Sequence, residues 1–173
     1  MKTSTFALAI GIAYLAAGIL ALIPATLMPP PVDAPATTFT LLYGYFLGLF
    51  PMNVLQTLLH LAVGVWGIAA WAGSANSTTF ARCAAVLFGA LAVMGMLPGL
   101  NTAFGLVPLY GNDIWLHGLS AAAAAWFGWH APVLARDRRV MVYDRRQRML
   151  PVGRERRFGL ADRREGFGGM APA

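Results

Sequence analysis

The sequence predicts an all-α integral membrane protein, a four-helix bundle made of two repeated helical hairpins and followed by a basic cytoplasmic tail. Three observations carry that reading. Hydrophobic residues make up 58% of the 173 and charged residues 12%, against roughly 25% charged in an ordinary soluble domain. A soluble domain of this size buries only about 70% of the surface its unfolded chain exposes, so lipid must solvate much of the rest. Second, four apolar stretches have about the length that crosses ~30 Å of hydrocarbon. Third, one phrase occurs twice: Gly48-Leu49-Phe50-Pro51, eight residues, then His60; and Gly105-Leu106-Val107-Pro108, eight residues, then His117. In both copies the residue four before the histidine is polar, Gln56 in the first and Asp113 in the second.

The first span is expected over residues 6–27. It is longer than a signal-peptide core and lacks a clean Ala-x-Ala site, so it reads as a retained helix. Cleavage would leave three helices. Gly11 and Gly18 fall on one side of it, where small residues let a neighbouring helix approach. Residues 28–40 hold Pro29, Pro30, Pro31 and Pro35 with Asp33, and read as a solvent-side loop that is neither helix nor strand. Residues 40–49 are apolar and aromatic but too short to span, and read as an interfacial segment.

The second span is expected over residues 53–71, with Asn53, Gln56 and His60 on one helical face. A polar turn at 73–79 leads to the third span at 80–97, opened by Arg82 and closed by Pro98-Gly99. Residues 100–110 form a second interfacial connection, and the fourth span covers 112–130, closed by Pro132. Asn112 and Asp113 suit its first turn, where short polar side chains accept hydrogen bonds from free backbone amides. Cys83 is alone, so the chain holds no internal disulfide and no thiol metal site, and it reads as a small packing residue.

Charge gives the orientation. Eleven of the 13 basic residues and five of the seven acidic ones lie from Arg136 onward, which leaves residues 1–135 net neutral. Lys2, Arg82 and the tail fall on one side of a four-span topology, which places both termini in the cytoplasm. The domain boundary follows: a transmembrane domain over 1–135 and a largely disordered arginine-rich tail over 136–173. Arg136, Arg138, Arg139, Arg145, Arg146 and Arg148 are the candidates for anionic lipid headgroups. Nucleic acid is excluded as a partner, because no base-reading or stacking module accompanies the charge.

The stretch from Gly48 to Leu55 followed by Leu59-His60-Leu61 resembles a bacterial membrane family. So does the longer run from Pro98 through Gly111-Asn112-Asp113-Ile114-Trp115-Leu116 to His117. The family is catalogued as domain-of-unknown-function family 4383, and the resemblance covers residues 6–129 without the tail. It implies a four-helix protein of the bacterial inner membrane with no assigned activity. Members often carry histidine where this chain has Gln56.

Ionisable residues inside a membrane are costly and are candidate functional groups. The polar centre is expected to comprise Asn53, Gln56, His60, Asn112, Asp113 and His117, on helices related by a parallel repeat whose axis runs along the membrane normal. Its simplest role is interhelical hydrogen bonding, with Gln56, His60, Asp113 and His117 satisfying one another. Three alternatives stay open: haem held by His60 and His117, a small metal site using His60, Asp113 and His117, or a quinone or lipid pocket. Phe46, Phe50, Phe104, Tyr110 and Trp115 would line that pocket or else form an ordinary aromatic belt. His130 reads as an interfacial residue. No catalytic constellation is present in the pattern, so the expected function is that of a non-enzymatic accessory or lipid-interacting protein. Its expected partners are membrane lipids and a membrane-protein complex or a second copy of the chain. The alternative is a redox protein using His60 and His117.

Overall fold

A computed structural model describes residues 1–131. The tail over 136–173, with its six candidate headgroup arginines, lies outside the described residues. Four helices dominate: α1 (Thr3–Ala21), α2 (Val54–Trp71), α3 (Ser77–Met96) and α4 (Asn112–Ala125). A five-residue π-helical segment, Trp126–His130, continues α4. The first three are long and apolar enough to cross a membrane, which makes this a membrane protein. At 14 residues α4 alone is shorter.

Each boundary has a local cause. α1 ends six residues before the expected limit because Pro24 cannot continue it, and Pro24–Thr26 becomes a 3-10 turn. The Thr26 hydroxyl shares its one proton between the carbonyls of Leu20 and Ile23, each at 2.8 Å, which also accept from the backbone amides of Ile23 and Thr26. Asn53 and Asn76 cap α2 and α3 by accepting hydrogen bonds from first-turn amides. α4 departs from expectation. Its cap is Gly111 at φ 65°, with no side-chain capping bond, and Asp113 turns into the protein instead.

The all-α expectation needs one correction. Residues 27–52 contain a three-stranded antiparallel sheet in the order β1 (Leu27–Met28), β2 (Gly44–Phe46), β3 (Phe50–Met52). Tyr45 pairs with Pro51 and Leu27 with Phe46. Pro51 is tolerated because β3 is an edge strand, where a missing amide breaks no ladder. The segment read as interfacial over 40–49 therefore folds back on the chain, and Phe46 joins Ala21 and Met52 in a small buried cluster.

α1 packs mainly on α2 and α3 mainly on α4. The first contact is backbone against backbone. A Cβ on Gly64 would lie 2.5 Å from the Leu15 amide nitrogen, and one on Gly11 would lie 2.8 Å from that of Ile68. Glycines at these levels allow an approach that no side chain would permit. The main core gathers Phe6, Tyr14, Val63, Phe80 and Phe88 with small alanines between them. Outward faces carry Ile12, Val65, Val86, Val93 and Leu119, all more than half exposed.

The loops preceding α2 and α4 are tied together. Thr38 donates its amide to Gly105 at 2.7 Å. The Asn53 side-chain amide donates to Phe39 and Leu106 at 3.1 and 2.7 Å. Leu47 and Phe104, at equivalent places before Gly48 and Gly105, both adopt positive φ, 51° and 61°. Bulky side chains rarely accept this conformation, and the cross-bonded loops hold it in place.

Candidate functional site

The periodicity of α2 places Gln56, His60, Val63 and Gly67 on one buried face. That of α4 buries Asp113, His117, Ser120 and Ala124. The two faces meet so that equivalent positions of the sequence repeat oppose each other. Gln56 Nε2 donates to Asp113 Oδ2 at 2.5 Å. The rings of His60 and His117 lie 6.3 Å apart at 75°. All four side chains are between 0% and 1% exposed.

Two more rings close the arrangement. Tyr14 of α1 meets His60 edge-on at 4.8 Å, and Phe88 of α3 stacks on His117 at 5.7 Å. Tyr14 and Phe88 then stack on each other at 4.7 Å. One ring comes from each helix, in a closed circuit. The Tyr14 hydroxyl shares a 2.8 Å hydrogen bond with Ser120, one turn beyond His117.

The expected mutual satisfaction is not what this geometry gives. Gln56–Asp113 is the one hydrogen bond among the four residues. His117 Nδ1 stands 3.7 Å from Asp113 Oδ2, too far for a hydrogen bond. Among the described residues Gln56 Oε1, Asp113 Oδ1 and all four imidazole nitrogens of His60 and His117 have no partner. The reason lies in the rings. Phe88 and Tyr14 hold the imidazoles by their faces and edges, which fixes them without engaging their nitrogens.

The remaining candidates separate. Asn53 is fully buried but faces the loops, where it caps α2 and bonds the two connections described above. Asn112 is exposed and donates to the Leu49 carbonyl at 3.2 Å, so it stands outside the buried group. The aromatics proposed to line one pocket are dispersed, with Phe46 buried and Phe104 and Trp115 77% and 72% exposed. Tyr110 instead shares a 2.5 Å hydrogen bond with Tyr43, which itself donates to the Pro35 carbonyl. Burial, and after it the Tyr43 contact, raises the Tyr110 phenol above its ordinary pKa. No group of three or more His, Cys, Asp or Glu among the described residues comes together to hold a metal ion. Cys83 is exposed rather than packed.

Sequence reasoning missed Tyr14, Phe88 and Ser120. Ser120 was findable, since it follows His117 by three residues on the same face. Tyr14 was the one hydroxylated ring in the first span. Phe88 carried no distinguishing signal.

Three helices of membrane-crossing length, packed with α4 around a buried polar centre, define the class as a membrane protein. Its family is equally specific: the family described as a domain of unknown function (DUF4383) matches residues 4–130, and the chain belongs to it. No curated protein and no solved structure matches the chain.

Proposed function

We propose that the protein is a non-enzymatic component of the bacterial inner membrane, acting as an accessory or lipid-interacting subunit. In this reading α4 and its π-helical extension make a fourth span, the four spans form one bundle, and both termini face the cytoplasm. The two hairpins are related by a rotation about the membrane normal, which accounts for repeat-equivalent residues facing each other at the centre. Membrane lipids are the first partner, with a larger complex or a second copy on the outward faces.

One observation carries the reading. Gln56, His60, Asp113 and His117 are each at most 1% exposed, and both imidazoles are locked into a closed circuit of rings with Tyr14 and Phe88. A substrate has no contact with such groups, so their work is on the neighbouring helices. Redox chemistry is the second reading, favoured by two imidazoles 6.3 Å apart whose nitrogens are uncommitted. A haem between them would have to displace Phe88 and Tyr14 from their ring contacts, and a quinone would have to part the same circuit. An absorption spectrum of the purified protein separates the two. We expect no Soret band. A Soret band removed by His60→Ala or His117→Ala would establish the redox reading instead.

A further inference from the structure

We propose that the end of the protein where α1 begins holds a binding site for the headgroup of an anionic phospholipid, built on Arg82 and the π-helical segment. The proposal rests on the membrane-spanning reading above and specifies the lipid chemistry and the residues.

Residues 1–131 contain two Lys or Arg residues, Lys2 and Arg82. The fold brings both to the π-helical segment. Arg82 Nε donates to the Gly128 carbonyl at 2.9 Å, and its guanidinium lies 5.6 Å from the centre of the Trp129 ring. Gly128 makes this possible, since a Cβ there would come within 3.1 Å of the Arg82 amide nitrogen. From the other side the Thr3 hydroxyl donates to the Phe127 carbonyl at 3.2 Å, and Phe6 stacks on Phe127 at 4.7 Å. That contact sets Lys2, the residue that precedes α1, beside the same segment.

Among the described residues Arg82 is thus oriented but not used up. With Nε and one ring face committed, its two terminal amino groups remain as a fork, the geometry suited to two oxygens of one phosphate. Trp126 and Trp129 are 54% and 46% exposed, and their indoles suit the headgroup boundary. His130 stacks on Trp126 at 4.3 Å and supplies one more hydrogen-bonding ring. Positive charge, amphipathic rings and an anchored guanidinium at one level of a membrane protein complement a lipid phosphate with a second negative or hydroxylated headgroup group. Among the described residues the opposite end carries no Lys or Arg, so the preference is expected in one leaflet.

Cys83, exposed and the sole cysteine, gives a reporter adjacent to Arg82. The full chain, labelled there with a fluorophore, is placed in phosphatidylcholine vesicles containing spin-labelled phosphatidylglycerol or, separately, spin-labelled phosphatidylcholine. The expected result is at least twofold stronger quenching by the phosphatidylglycerol. Arg82→Gln should remove that preference and Lys2→Gln should reduce it, whereas Arg136→Gln with Arg138→Gln and Arg139→Gln should leave it in place. Equal quenching by both lipids in the unaltered chain overturns the proposal. So does a preference lost with the tail substitutions and kept in Arg82→Gln. Should Arg82→Gln not fold, an unchanged preference in Lys2→Gln, which alters an exposed terminal residue, overturns it as well. Absence of quenching by either lipid would instead strike the membrane-spanning reading.

Discussion

Asp113 and Gln56 show what one residue can and cannot reveal. Their buried face was legible, because polar side chains at helical spacing in an apolar run are expected to point away from lipid. Their pairing was not, since nothing in a linear pattern says which neighbours a buried side chain finds. His60 and His117 read as hydrogen-bonding partners, yet ring packing against Tyr14 and Phe88 governs them. The Gln56–Asp113 bond has a measurable consequence. Asp113→Leu strands the Gln56 amide and Gln56→Leu strands the Asp113 carboxyl, so each should cost about 1–3 kcal/mol. The double substitution removes both polar groups and should cost clearly less than the sum. Asp113→Asn keeps an acceptor and should cost under about 1 kcal/mol. Melting temperatures in detergent measure all four, and strictly additive losses would show that the pair does not act as a unit.

At the scale of elements, long apolar runs located α2 and α3 to within three residues, because hydrophobic thickness sets a length that sequence can meet or fail. The sheet was not legible. Strands of two and three residues are too short to display an alternating pattern, and the prolines around them argue for loop. The glycines of the α1–α2 contact were partly legible, as Gly11 and Gly18 stood on one face. Their importance is unequal in a way only geometry reveals. Gly64→Ala places a Cβ against Leu15 backbone at 2.5 Å and must push α1 away. A loss of about 1–3 kcal/mol is expected. At Gly89 the nearest atom to a new Cβ is the Ala121 methyl at 3.9 Å. Gly89→Ala should therefore be neutral, or gain up to about 1 kcal/mol from helix propensity. Thermal unfolding of the two variants side by side checks the contrast, and a Gly64→Ala protein as stable as the parent would contradict the close approach.

For the whole molecule, the charge distribution makes a topology prediction. A reporter active only in the cytoplasm should be active when fused after the C-terminus, and inactive when inserted at Gly99 between α3 and α4. The reverse pattern would invert the protein. Assembly of the whole also has an order in time. Gln56 finds its partner 57 residues later in the chain, and the Asn53 side chain reaches Leu106 across 53. At synthesis rates of about 5–20 residues per second, the first hairpin waits roughly 3–11 s before the ribosome delivers the other half of its polar contacts. During that interval Gln56 and His60 lie on an unfinished face, among the least lipid-compatible groups in the molecule. On the membrane-spanning reading proposed above, the newborn first hairpin is expected to linger beside the insertion machinery until Asp113 arrives to accept from Gln56.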